Sequence, residues 1–333
     1  MANLKDMQGS KIIRQSLKIV ISLLLLGWLV ATIDWRGCIP IAARADLGMM
    51  ALAVVLLTLE RVLSVAKWLL FLKIKGSGVS FWRLFIINYV GGFWGLILPS
   101  SVSADIVRGY YLSRATADLK LTVTSMAADR FIAGVSLVCV AFVGGWFAGR
   151  HPGLEHLRTL TVILAAVTAA ALAVLFNSAF LRWLDRNLFA RFNAWRLVCV
   201  ARQWMASCLE YRQHPLLLLE AFALSIAVQA ARVLIFYVVA LGFDLHAPLM
   251  YYAIFIPLIM VLIMLPISLN GIGVREVSFV GFFAMAGMPE SGAFVVSFTV
   301  SVLTTLTTAV GGIIYMFDRN PAPAGTAAPG DGR

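Results

Sequence analysis

Continuous apolar runs dominate the chain: IVISLLLLGWLVATI at 19–33, LTVILAAVTAAALAVLF at 160–176 and AFVVSFTVSVLTTLTTAVGGIIYMF at 293–317. Runs of this kind cross a bilayer as helices. Their apolar character is unbroken rather than alternating, which excludes a transmembrane barrel. With 61% apolar and 13% charged residues and a mean hydropathy of +0.91, the chain holds more apolar surface than a soluble domain can hide. The expected fold class is an all-α polytopic membrane protein.

The net charge of +11 fits Lys and Arg gathered in cytoplasmic loops against an anionic inner leaflet. No nucleic-acid-binding motif appears, so nucleic acid is not an expected partner. Cys38, Cys139, Cys199 and Cys208 form no CxxC pair, and His151, His156, His214 and His246 show no ligand spacing. Neither set points to a metal, and no cofactor is expected.

Lys5, Lys11, Arg14 and Lys18 precede the first apolar run, which predicts a cytoplasmic N-terminus. A cleaved signal peptide is the competing reading. It is weakened because the small-residue ARA at 43–45 lies well past that run. Candidate spans follow at 17–34, 47–72, 84–98, 122–148, 159–178, 216–242, 248–266, 274–288 and 292–317. They make one transmembrane domain over 1–317, with repeat halves at 17–178 and 216–317. A basic segment at 180–215 joins the halves. Within it, Leu181, Leu184, Leu188, Phe192 and Trp195 recur at helical spacing, the pattern of a helix lying on the inner leaflet; an ordinary solvated connector is the alternative. The tail at 318–333, rich in Pro, Gly and Ala, is expected to be disordered.

The segments 84–98 and 274–288 fall short of the ~20 residues that a spanning helix needs. Each abuts a polar interruption: LPSSVSADIVRG at 98–109 and LPISLNGIGVRE at 265–276. Aligned without gaps, Pro99, Ser101 and Arg108 fall on Pro266, Ser268 and Arg275. An internal repeat is the simplest account. Each proline ends a helical ladder. The polar stretch after it is tolerable in a membrane only beside protein or a wet cavity, and a new helix then starts. Ser103 or Asp105 caps the first, while Gly271 and Gly273, next to Asn270, allow close backbone approach to a ligand. The expectation is therefore two pseudo-repeats, each with a broken or re-entrant helix, of the kind that marks a transporter's binding site.

Each new helix directs a positive dipole end toward the break and carries an arginine in its first turns. The dipole alone disfavours that cation. A bound phosphate or carboxylate would explain it. The alternative is structural neutralisation of Arg108 by Asp105 and of Arg275 by Glu276. Further charges lie within the spans: Glu60, Arg61, Lys67, Asp129, Arg130 and Arg232, the last sharing a face with Gln229. Such groups usually line an interior cavity, although Lys67 and Arg130 could snorkel. Arg108, Arg275, Asp105, Glu276, Ser101, Ser268, Asn270, Gly271, Gly273, Arg232, Gln229, Asp129 and Arg130 form the expected substrate-binding set, with Pro99 and Pro266 as structural breaks.

GGFWGLILPSSVSADIVRGYYLSR at 91–114, the Asp129–Arg130 pair and LPISLNGIGVREVSFVGFFAMAG at 265–287 together resemble the lysylphosphatidylglycerol synthase transmembrane-domain, or flippase-like, family. The resemblance runs from about 15 to 317. It implies a polytopic bacterial inner-membrane protein with re-entrant helices that moves amphipathic lipids between leaflets. The matched motif residues are Pro99, Asp105, Arg108, Asp129, Arg130, Pro266, Gly271, Gly273, Arg275 and Glu276. Members often carry glycines where this chain has Ser103 and Ala104, so its headgroup contacts are expected to differ in detail. Bifunctional members add a cytoplasmic synthase domain. With about 16 residues after the last span in this sequence, such a domain and lysyl transfer are not expected.

The leading expectation is thus a flippase or lipid-linked-glycan translocator for an anionic headgroup, its phosphate held by Arg108 and Arg275 with the half-helix N-termini. The expected partners are a membrane phospholipid or lipid-linked substrate. No nucleotide-binding P-loop occurs. The rivals are a membrane-embedded headgroup or glycosyl transferase using Asp105 with Asp129, and a non-catalytic envelope-assembly subunit held to a fixed partner or a second copy of itself.

Overall fold

A computed structural model describes residues 20, 24, 27–29, 31–97, 103–148, 155–176, 211, 213–264, 271 and 273–317. Among these residues it is helical, with α1 at Trp35–Ala42, α2 at Leu47–Lys73, α3 at Phe81–Ile97, α4 at Ser103–Thr116 and α5 at Leu119–Ala148. Then follow α6 at Glu155–Phe176, α7 at Pro215–Gly242, α8 at Leu249–Met264, α9 at Val274–Met285 and α10 at Glu290–Phe317. Four of these, α2, α5, α7 and α10, are long and apolar enough to cross a membrane. The protein is a polytopic membrane protein. Most of the expected first span and of the 180–215 connector, together with the 318–333 tail, Pro99, Ser101, Pro266, Ser268 and Asn270, lie outside the described residues.

Local chemistry sets the helix ends. Asp46 caps α2 by accepting from the backbone N–H of Gly48 at 2.7 Å and of Met49 at 3.2 Å, satisfying donors that a helix start leaves open. The Asp46 N–H donates to the Gly242 carbonyl at 2.8 Å, tying the start of α2 to the end of α7. At the other end of α2, the Phe71 carbonyl accepts from the Tyr211 hydroxyl at 3.1 Å, just before α7 begins. Helices α2 and α7 are therefore antiparallel neighbours, and their packing is the most extensive between any two elements. We call the end at Asp46 and Gly242 face A and the end at Lys73 and Pro215 face B.

The order long, short, short, long occurs twice, in α2–α5 and in α7–α10. Helix α3 enters from face B and its last turns meet the first turns of α4, where Gly95 lies against Ala104. Helix α4 then returns to face B, where Thr116 and Asp118 line one cleft with the 75–80 loop. The second pair does the same from face A. Tyr252 and Phe255 in the first turns of α8 pack on Phe282 and Phe283 at the end of α9, with ring centroids 4.6–5.4 Å apart. Each interruption is thus a re-entrant hairpin, and the two enter from opposite faces. Because α2 and α7 run in opposite directions, the repeats have inverted topology, related by a pseudo-twofold in the membrane plane.

The hairpins are exchanged: α3 of the first half packs on α10 of the second, and α8 of the second packs on α5 of the first. This pairing revises two readings of the sequence. The 248–266 segment does not read as a lone crossing, because α8 lies antiparallel to α9, with Tyr252 and Phe255 near its start against Phe282 and Phe283 near the end of α9. The polar stretch 103–116, not counted among the spans, is a full helix. It is too polar to advertise itself and is held by packing on α3 and α5.

Candidate functional site

The exchange places the middles of α2, α5, α7 and α10 and the tips of α8 and α9 around one cavity of about 350 Å³. Its polar residues are Glu60, Arg130, Gln229, Arg232, Arg275 and Thr304, and Leu57, Leu137, Ile235, Phe236, Met260 and Val300 are among its apolar walls. The cavity lies at the interface of the repeats and near mid-membrane, where inverted-repeat transporters bind substrate. A second, smaller cleft of about 50 Å³ lies on its face-B side, lined by Ser64, Trp68, Asn88, Asp105, Arg108, Met126, Asp129 and Arg130. Arg130 lines both.

The charges are mostly committed. Arg232 Nε donates to Glu60 Oε1 at 2.7 Å, and its Nη1 donates to Gln229 Oε1 at 3.3 Å. Arg130 Nη2 donates to Asp105 Oδ1 at 2.5 Å, while Arg108 approaches the same oxygen at 3.5 Å. Asp129 pairs instead with Lys67, which is buried, at 3.1 Å. Lys67 and Arg130 do not snorkel: both point inward. Arg61 donates to Thr308 Oγ1 and lies 4.8 Å from the centre of the Tyr89 ring, joining α2, α3 and α10.

Arg275 lines the larger cavity. Its Nη1 donates to Ser301 Oγ at 3.0 Å, and its Nε, like that of Arg108 in the smaller cleft, is buried with no hydrogen-bond partner. Glu276 does not neutralise it directly. That carboxylate accepts from the Gly273 N–H at 2.8 Å through one oxygen and from Ser301 Oγ at 2.8 Å through the other. It thereby makes the return half of a capping box at the start of α9, Gly273 having no side chain to supply the other half. Gly273 and Gly271 both have φ near +80°, at 82° and 79°, so the tight turn into α9 depends on glycine.

The arginines that the gapless alignment paired line separate cavities: Arg108 lines the smaller cleft and Arg275 the larger cavity, with Arg130 lining both.

Sequence reasoning did not single out Asn88, Ser64, Thr304 or Ser301. Asn88 had a readable signal, as a lone amide in the apolar run FIINYV. It is buried and accepts from Arg108 at 3.5 Å. A serine or threonine within a membrane helix carries no such signal, since its hydroxyl can bond its own backbone.

A family model described as Lysylphosphatidylglycerol synthase TM region matches residues 15–312. The chain belongs to this family. A UPF0104 membrane protein of Methanocaldococcus jannaschii is 26% identical over 179 residues, which is 53% of this chain and 53% of that protein. The aligned part thus spans about half the length of that relative. Within the family match, both re-entrant hairpins and all the charged residues of the two cavities fall inside the matched range.

Proposed function

We propose that this member of the family is an inner-membrane lipid translocator that passes an anionic headgroup through the mid-membrane cavity while the acyl chains stay in the bilayer. The observation that carries this reading is Arg275. A guanidinium with a buried, unbonded Nε in a cavity otherwise lined by paired charges and apolar side chains offers a phosphate or carboxylate a charge-assisted hydrogen bond. Arg232 and Arg130, each already holding a carboxylate, supply further positive potential around the same space. The transferase reading is less well supported, because Asp105 and Asp129 are each held by cations rather than free to exchange a proton with a substrate.

Orientation follows from loop charge. Face B carries Lys73, Lys75, Arg83, Arg114 and Lys120 against Asp118, whereas face A mixes Arg36, Arg44 and Arg158 with Asp34, Asp46, Glu155, Asp244 and Glu290. Face B is then the cytoplasmic one, in contact with the anionic inner leaflet.

The test is a reconstituted assay with fluorescently labelled phosphatidylglycerol, scoring leaflet exchange by quenching of the outer label. Arg275→Gln is expected to slow exchange by about tenfold or more, the worth of one hydrogen bond to a charged group, while Arg275→Lys keeps part of the rate. Equal rates for wild type and Arg275→Gln would overturn the reading.

A further inference from the structure

The two halves share a backbone plan but not their chemistry around the cavity. In the first half, between the cavity and face B, stand Asn88, Arg108, Asp129 and Arg130 around an open cleft. Between the cavity and face A stand aromatic and aliphatic side chains instead. Phe236 stacks on Phe279 at 5.3 Å, Phe279 on Phe283 at 4.1 Å, and Tyr252 packs on Phe283 at 4.6 Å. Ile256 and Val300 are buried beside them, and Phe279 and Phe283 have no exposed surface. Phe236 also forms part of the cavity wall.

We infer that the anion cavity is loaded from face B, through the cleft at Arg108 and Arg130, and is sealed from face A by the Phe236–Phe279 stack. This rests on the reading of the cavity as a path for an anionic headgroup and adds the side of entry and the gate. Arg130 reaches both spaces and is the most exposed of the paired cations, at 48% against 20% for Arg108. It is the residue that can meet an anion in the cleft and follow it into the cavity. The stack opposes passage because an anionic headgroup gains no hydrogen bond among aromatic faces, whose quadrupoles present negative charge. Opening toward face A requires α9 to part from α7, which the re-entrant hairpin allows without moving a spanning helix.

The experiment uses the full chain with its native cysteines replaced, reconstituted in one orientation, with Thr304→Cys as a reporter inside the cavity. The probe is a small anionic methanethiosulfonate that does not cross the bilayer, added to one face at a time. Thr304→Cys is expected to react at least about tenfold faster from face B than from face A. Adding Phe279→Ala is expected to bring the face-A rate to within a few-fold of the face-B rate. Equal reaction from both faces with the stack intact would overturn the inference, as would an unchanged face-A rate in a folded Phe279→Ala chain. Should Phe279→Ala not fold, Phe279→Leu takes its place, and the intact-stack comparison decides by itself. No lipid enters this readout, so its failure is distinct from failure of the Arg275→Gln exchange assay.

Discussion

Glu276 shows how much a single carboxylate does at the second break. It satisfies the Gly273 N–H, fixes Ser301 on the neighbouring helix and, through Ser301, positions Arg275. Glu276→Ala should cost about 1–3 kcal/mol, since it leaves buried donors unpaired; a lowered thermal midpoint in detergent would register it. Gly271 has φ at +79°, and an added Cβ would lie 2.5 Å from Ile263 Cγ2. Gly271→Ala is expected to lose a similar ~1–3 kcal/mol, from backbone strain as well as overlap. The Lys67–Asp129 pair allows a sharper test. Lys67→Met alone strands a carboxylate beside the cleft, a loss of about 3–5 kcal/mol for a buried pair. Lys67→Met with Asp129→Leu should recover much of that loss, and a double-mutant cycle on melting midpoints would show the coupling.

Between elements, small residues decide how closely the hairpins can dock. A Cβ on Gly311 of α10 would overlap the Tyr89 carbonyl of α3, and one on Gly91 would overlap the Arg108 side chain. These contacts let membrane helices approach backbone to backbone, where packing rather than the hydrophobic effect holds them. Gly311→Val should therefore destabilise by about 1–3 kcal/mol through overpacking. Gly281 in α9 is the control. Nothing lies within 4 Å of its would-be Cβ, so Gly281→Ala is expected to be neutral or to stabilise by up to ~1 kcal/mol, the ordinary gain of alanine over glycine in a helix. Thermal shifts of opposite sign for the two variants would confirm that contact geometry, not glycine content, governs the docking.

For the whole molecule, inverted topology makes a prediction about sides. Lys73 precedes the first hairpin and Asp118 follows it; His246 precedes the second and Glu290 follows it. In single-cysteine chains, Lys73→Cys and Asp118→Cys should be labelled from one side of the membrane and His246→Cys and Glu290→Cys from the other. Labelling of Lys73→Cys and Asp118→Cys from opposite sides would mean that the first interrupted segment crosses rather than re-enters. The pseudo-twofold also explains why the cavity sits where it does: only at mid-membrane do the tips of two oppositely inserted hairpins reach a common depth.

What the sequence determined by itself follows from local physics. Unbroken apolar runs permit only helices in a bilayer, because every backbone polar group must be satisfied within its own segment. Proline and glycine beside short apolar segments marked the breaks, and Arg232 was legible as a cavity candidate because a lone charge in hydrocarbon is costly, whereas Arg130 could equally have snorkelled. The partner of each charge was not legible. Arg130 with Asp105, Lys67 with Asp129 and Arg232 with Glu60 join different helices, up to 172 positions apart, and no local pattern encodes such a distance. Nor could the gapless alignment show that Arg108 and Arg275 line separate cavities. Which arginines keep an unpaired nitrogen, and where Phe236 meets Phe279, was decided only when exchanged hairpins brought the two halves into one packing.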